Sequence, residues 1–405
     1  MKAVVAAIGS RGDVVPFSNL AARLAARGHD VTLVTHSSLS HLVPGGLPVL
    51  GVPSDPGALL SSPAAKALRS GSVRALNRTR NIFADFLHSA GPPAGEALAG
   101  ADVLVASTFA IAPVDEALKA GVPVVRTHLW PEFEALDGPM PLLPYGWRIP
   151  SPVRKLARKS LRWAEPYLGG VEGGWRRGRL HLIARHPVGL TTSTLGSLYA
   201  YSPALGATPP TGGVATGWWT AGPDPEPLSP ETDDALDDGA DWIYAGFGSM
   251  TQSHPEKLIA TLGAACDRIG MNAVVQLDRL RGRPHPRVLC VGPEPHGELF
   301  RRVKVVVHHG GAGTTSSAVR AGTPSVVLPH FADQFYWGKR LHDLGVAASP
   351  IPRPVVRPGK LARRLRQAAA PAMQQRAAEL GRAVAGEDGC GRAIDQVERW
   401  LAERR

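Results

Sequence analysis

The sequence predicts an α/β protein made of two doubly wound, Rossmann-like domains facing each other across a cleft. Three observations carry that prediction. Short β-branched runs alternate with stretches of helical apolar spacing, the signature of βαβ units on a parallel sheet. The alternation occurs twice along 405 residues, a length that suits two domains of roughly 150–200 residues each. Between the two runs, residues 203–230 are crowded with Pro and Gly, as a linker between domains is.

The elements follow in order. "KAVVAAI" (2–8) reads as a strand; its apolar run stops at Gly9, too short for a leader or a membrane span. Apolar residues at helical spacing predict a helix over 16–27, with Pro16 in its first turn and Gly28 just past its end. Further strands are expected at 30–35, 102–107, 122–127 and 188–193. After the linker come strands at 241–247, 272–277, 287–292, 303–307 and 324–329, a helix near 255–269 and a helical tail. The expected division is a first domain over 1–212, a linker over 213–238 and a second domain over 239–385. A terminal helix over 386–405 is expected to return to the first domain.

Composition narrows the classes. Cys266, Cys290 and Cys390 are scattered and lack metal-ligand spacing, which fits a reduced cytoplasmic setting rather than a disulfide framework. The net charge is +11, concentrated between Arg148 and Arg185. That stretch reads either as attraction to anionic lipid, a weak peripheral membrane contact, or as a solvated helix face. No nucleic-acid motif accompanies it, so no nucleic-acid partner is expected. The acidic run "ETDDALDDGAD" (231–241) reads as the cap of a solvated helix, and no metal is expected.

One stretch carries chemistry: "VVVHHGGAGTTSSAVRAGTPSVVLPHFADQ" (305–334). In open α/β sheets ligands bind at the carboxyl ends of the strands. Here a strand ends at His308 and His309, and Gly310, Gly311, Ala312 and Gly313 let a ligand approach the backbone. Thr314 to Ser317 then open a helix ending near Gly322. A helix N-terminus with free N–H groups is an anion site, most naturally for phosphate. A histidine beside it can donate to phosphate oxygens and stabilise charge on a leaving diphosphate.

"HHGGAGTT" (308–315), followed by "PHFADQFYWGKRL" (329–341), resembles the donor-sugar signature of GT-B-fold nucleotide-sugar glycosyltransferases. The similarity is to the UDP-glycosyltransferase superfamily, in the branch of sterol glucosyltransferases and bacterial antibiotic glycosyltransferases. "GSRGDVVPF" (9–17), "TGWW" (216–219), "YAGFGSM" (244–250) and "PEPHGELFRRVKVVVHHGG" (293–311) resemble that branch in the same order. Residues of about 50–200, the acceptor region, carry no matching motif.

The resemblance implies an acceptor-binding first domain, a donor-binding second domain and a UDP- or TDP-sugar co-substrate, with no further cofactor. His308 and the turn Gly310, Gly311, Ala312, Gly313 and Thr314 would hold the diphosphate, with His308 catalytic and His309 its neighbour. Ser249 would contact phosphate, and Pro295 and His296 would border the base. Asp333 and Gln334 would hydrogen-bond sugar hydroxyls. Ser10, Arg11 and Gly12 of the first loop would reach the diphosphate. Plant members carry a histidine base in that loop; "GSRGD" has none, so the resemblance points to Asp13. Asp13 can equally be the N-cap of a helix starting at Pro16. His29, His36 and His41 read as surface or loop residues, with a base or relay role for one of them left open.

On the acceptor side Phe83, Phe86, Trp130, Phe133, Met140 and Trp147 can line an apolar pocket, or simply pack a core. The activity expected is inverting transfer of glucose or a deoxysugar to a hydroxyl of a lipophilic small molecule. Such an acceptor would be a polyketide, a macrolide, or a sterol-like or aromatic natural product. The alternatives are a sugar-nucleotide epimerase of the same architecture and a non-catalytic partner of another glycosyltransferase.

Overall fold

A computed structural model of the chain describes residues 1–62, 82, 85–131, 193–207, 209, 212–222, 226–247, 255–277, 280–330, 333–352 and 356–404. Its first sheet has seven strands: β1 (Lys2–Ala7), β2 (Asp30–His36), β3 (Val49–Val52), β4 (Val103–Ser107), β5 (Val124–His128), β6 (Gly196–Tyr199) and β7 (Gly213–Ala215). They lie in the order β3-β2-β1-β4-β5-β6-β7, every pair parallel. A strand in such a sheet is covered on both faces, which is why these runs are apolar without alternation. The two-residue period sends Ala3, Val5 and Ala7 of β1 to one core and Val4 and Ala6 to the other.

The second sheet comprises β8 (Trp242–Gly246), β9 (Asn272–Gln276), β10 (Gly282–His285), β11 (Val288–Val291), β12 (Val305–His308), β13 (Ser325–Val327) and β14 (Ala347–Ala348). Its order is β10-β11-β9-β8-β12-β13-β14, with only β10 antiparallel to its neighbour. In each sheet the strand order reverses beside the first strand, between β1 and β4 and between β8 and β12. Those two reversals are where a doubly wound sheet opens a crevice for a ligand.

Several expectations need correction. The first helix spans Arg11–Ala26, so Pro16 lies inside it rather than at its start. Ser10 and Asp13 form a capping box that starts the helix five residues upstream, and that reciprocal bonding outweighs the proline as a start signal. The strand expected at 188–193 falls on residues 188–192 outside the described residues; Ser193 precedes β6, and its hydroxyl accepts the Gly196 N–H at 2.8 Å. The Pro- and Gly-rich segment is not mere linker. Residues 213–215 form β7, and Pro230–Leu236 form a helix.

Trp218 and Trp219 are buried in the crossing between the domains. Trp219 meets Phe17 edge-on with ring centroids 5.3 Å apart. Tyr199 and Tyr201 of the first domain share one apolar cluster with Tyr336, Trp337 and Leu341 of the second. The terminal helix Gly389–Arg404 places Cys390, Ala393, Ile394 and Val397 on the core of the first sheet, beside Phe17, Leu20 and Leu24. Arg23–Asp388 and Arg27–Asp395 ion pairs edge that contact; being exposed, each contributes well under about 1 kcal/mol. Among the described residues, no helix is long and apolar enough to cross a membrane.

Candidate active site

After β1 the chain turns at Gly9 into the helix that starts at Arg11. Gly9 has φ +145°, and a β-carbon there would stand 2.4 Å from Asp13 Oδ2, so only glycine lets this carboxylate take its seat. Asp13 Oδ2 accepts the Ser10 N–H at 2.8 Å and the Ser10 hydroxyl at 3.0 Å. Asp13 is therefore a capping residue of the first turn, three positions after Ser10, and not an N-cap before Pro16. Arg11 and Gly12 are exposed.

The corresponding turn after β12 is built from His308 to Gly311, and the helix Ala312–Ala321 follows. Gly310 has φ +94°, and a β-carbon on it would lie 2.8 Å from Val327 Cγ1 and 2.9 Å from the Gln334 carbonyl oxygen. The two histidines divide. His308, expected to meet the ligand, is 0 % exposed, with Nδ1 accepting the Gly310 N–H at 3.2 Å. That bond fixes the proton of the neutral ring on Nε2, which is buried and has no partner among the described residues. His309 is only half-buried, and its Nε2 overhangs Gly311, 2.5 Å from where a β-carbon would be. His309 thus overhangs the mouth of the helix, and its Nδ1, like the His308 Nε2, is buried without a partner among the described residues.

Burial pushes the His308 pKa down to about 3, assisted by His309 and His296. His309 is pushed down to about 4 by burial alone. His296 falls to about 4 through burial first, then Arg11 across the cleft and His309. All three rings are neutral near pH 7.

Pro295 is the N-cap residue of the helix His296–Arg302. The His296 ring stacks on Phe300 at 4.5 Å, and its Nε2 lies 3.2 Å from the Tyr244 hydroxyl and 3.3 Å from Gln276 Oε1. Tyr244 donates to the same Gln276 oxygen at 3.0 Å. Tyr244, Gln276 and Phe300 escaped the sequence reading. Their only signal is position, Gln276 closing β9 and Tyr244 lying mid-strand on the adjacent β8.

Asp333 and Gln334 open the helix Asp333–Asp343. Burial, then the Asp13 carboxylate across the cleft, push the Asp333 carboxyl up to about 7, against hydrogen bonds from its own N–H and those of Ala312 and Gln334. Asp333 thus bonds the first N–H of the Ala312–Ala321 helix. Gln334 is buried and its Oε1 accepts the His330 N–H at 2.8 Å.

The acceptor set is only partly brought together. Phe86 packs in the core of the first domain, stacked on His36 at 4.9 Å. Trp130 lies against Tyr336 of the second domain, ring centroids 5.9 Å apart. Phe109, which sequence reading passed over, follows β4 at the reversal of strand order and is 36 % exposed. Ser249, Phe83, Phe133, Met140, Trp147 and the basic stretch 148–185 lie outside the described residues. Of the other histidines, His36 is wholly buried rather than superficial, His29 pairs with Glu398 at 3.1 Å, and His41 is exposed. In the acidic run, Asp233 and Asp237 both bond Arg302, and no group of potential metal ligands occurs among the described residues.

Comparison with known proteins agrees with this architecture. The family model for the glycosyltransferase family 28 N-terminal domain matches residues 3–130. The model for the erythromycin biosynthesis protein CIII-like C-terminal domain matches residues 271–389. The chain is 31 % identical to the O-mycaminosyltylonolide 6-deoxyallosyltransferase of Streptomyces fradiae, covering 100 % of this chain and 98 % of that one. It is 30 % identical to a sterol 3-beta-glucosyltransferase of Arabidopsis thaliana over 97 % of its own length, but spans 64 % of that relative. It spans 29 % of the sterol 3-beta-glucosyltransferase of Aspergillus clavatus, at 29 % identity.

Among solved structures, the glycosyltransferase of kitacinnamycin superposes with a TM-score of 0.68 at 22 % identity, covering 98 % of each chain. The Streptomyces sp. SF2575 glycosyltransferase SsfS6, complexed with thymidine diphosphate, superposes at 0.63 with 19 % identity, covering 98 % of this chain and 99 % of that one. These likenesses define the fold as GT-B. The chain belongs to the UDP-glycosyltransferase superfamily, in the branch of sterol and antibiotic glycosyltransferases, and is a glycosyltransferase.

Proposed function

We propose that the protein is an inverting, metal-independent glycosyltransferase that moves a sugar from a UDP- or TDP-linked donor to a hydroxyl of a lipophilic natural product. The observation that carries this reading is the pairing of two helix N-termini across the cleft. One bears Asp13, the other lies under His309, and Asp13 stands close enough to Asp333 to raise its pKa. An acceptor hydroxyl gives its proton to the Asp13 carboxylate while its oxygen attacks the anomeric carbon. The bond to the diphosphate breaks, and the electron pair settles on the phosphate oxygen. Charge there is met by the helix N-terminus and by the neutral His309 ring. His308 instead holds the turn, through Gly310.

The same reading gives Arg11, with Ser10 and Gly12, a place at the diphosphate. The aromatic nest of Tyr244, His296 and Phe300 suits a pyrimidine base. Asp333 exchanges the Ala312 N–H for sugar hydroxyls as phosphate takes the helix end, and Gln334 lies beside it. Exposed Phe109 after β4 and Trp130 after the adjacent β5 support an apolar acceptor. Relatives named for a deoxyallosyl transfer and for a glucosyl transfer to sterol bracket the donor and acceptor classes.

The test is a panel of UDP- and TDP-sugars with a library of lipophilic aglycones, reading glycoside and free nucleotide. Nucleoside diphosphate is expected to appear in step with glycoside and only when aglycone is present. Donor isomerised without aglycone would overturn the reading. The same assay in EDTA is expected to proceed at the full rate, because Arg302 already holds Asp233 and Asp237. A loss that Mg²⁺ restores would count against metal independence.

A further inference from the structure

We propose that His36 is a positioning residue for the reaction, acting as the peg that holds the Gly9–Asp13 loop at the carboxyl edge of the first sheet. The inference rests on the reading of Asp13 given above. His36 is the last residue of β2, and both its ring nitrogens are spoken for by neighbouring loops. Nε2 lies 3.1 Å from the Gly9 N–H, and Nδ1 lies 2.8 Å from the Ser54 carbonyl oxygen and 3.1 Å from the Ser54 hydroxyl. A backbone N–H can only donate and a carbonyl can only accept, so the ring is neutral, with its proton on Nδ1 and a lone pair at Nε2. One imidazole thereby ties together the chain following β1, β2 and β3.

The support continues outward. Ser89 donates to the Ser54 hydroxyl at 2.8 Å, and Phe86 covers the ring face. Burial lowers the His36 pKa, opposed by the Ser54 bond and the nearby Asp55. On the other side, Gly9 leads directly into Ser10, whose N–H and hydroxyl hold Asp13 Oδ2. A shift of the Gly9 backbone therefore moves the carboxylate. His36 is not itself a base, because neither nitrogen faces the cleft with a hand free. A misplacement of about 1 Å at a reacting group is enough to cost about a hundredfold.

Two substitutions separate this role from plain support of the fold. In His36→Gln the amide reaches the Nε2 position and its oxygen accepts the Gly9 N–H. In His36→Asn the shorter amide keeps the Ser54 contact and loses Gly9. With rates referred to folded protein, His36→Asn is expected to lower kcat by about 10–100-fold, with a smaller loss of donor affinity because Ser10 to Gly12 share the loop, and His36→Gln to stay within about threefold of wild type. In an Asp13→Asn background, His36→Asn is expected to add no further loss. Equal activity of the two His36 variants, or a full additional loss in the Asp13→Asn background, overturns the proposal.

A readout independent of turnover is the long-range ¹H–¹⁵N spectrum of the imidazoles. His36 should appear as the neutral ring protonated at Nδ1, and protonation at Nε2 overturns the peg. If Asp13→Asn transfers sugar normally, the base reading fails. The spectrum and the contrast between His36→Asn and His36→Gln then still decide whether His36 places the loop.

Discussion

Asp13→Asn is expected to lose sugar transfer by about 10²–10⁴-fold while binding nucleotide sugar as the wild type does. The asparagine side chain has the same shape, and its amide oxygen can still accept the Ser10 N–H that Asp13 Oδ2 now takes at 2.8 Å. The first turn of the Arg11–Ala26 helix therefore stays capped, at a cost of well under about 1 kcal/mol. What disappears is the capacity to receive a proton. An alcohol is a poor nucleophile until its proton has somewhere to go, so the loss falls on kcat and spares donor affinity. Initial rates at saturating donor, with donor affinity measured by titration, check both halves. Transfer at the wild-type rate would make Asp13 a helix cap and nothing more.

How far all this could be read in advance depends on the physics of each segment. Strands β1, β4, β8 and β12 are buried on both faces, so their sequences are almost wholly apolar runs and announce themselves. Strand β10 reads Gly-Arg-Pro-His, lies at the sheet edge and is partly exposed, so its pattern carries no strand signal. Strands β7 and β14 are too short for any period to show. Pro16 misled because a capping box formed upstream of it.

At the site, Gly310 was legible as a glycine the backbone needs, and Gly9 only once the Asp13 carboxylate was seen against it. Which of two adjacent histidines faces out is different in kind. It depends on where the pleat of β12 ends, and the repeat His-His holds no clue to that. His36 was misjudged for a related reason. A polar residue at a strand end is usually exposed, and only the loops folding over it from β1 and β3 bury it.

The second large effect is expected at that histidine pair, where His309→Ala and His308→Ala should fail in different ways. His309→Ala removes a neutral ring overhanging Gly311 at the mouth of the Ala312–Ala321 helix. Loss of one preorganised donor to a developing negative charge typically costs about 10²–10³-fold in kcat. The folded protein should remain, because that ring is only partly buried and makes no hydrogen bond that holds the turn. Since burial holds the His309 pKa down at about 4, the ring is already neutral at pH 6. The ratio of wild-type to variant rate is therefore expected to be flat between pH 6 and 8.

His308→Ala empties a site inside the second domain and strips the Gly310 N–H of its acceptor, costing about 2–4 kcal/mol of stability. Its rate per folded molecule should fall much less than that of His309→Ala. The wild-type ring also sets a pH term. With the His308 pKa near 3 folded and near 6.5 unfolded, its full contribution is present above about 6.5. As the pH falls from there toward about 3, the unfolded chain takes up a proton that the native ring refuses, and stability drops. In His308→Ala that part of the acid sensitivity is expected to vanish. Denaturant melts at several pH values, paired with rates per folded protein, separate the two histidines. If His308→Ala is the slower enzyme and His309→Ala the less stable protein, the assignment reverses, and the buried ring becomes the one that meets the diphosphate.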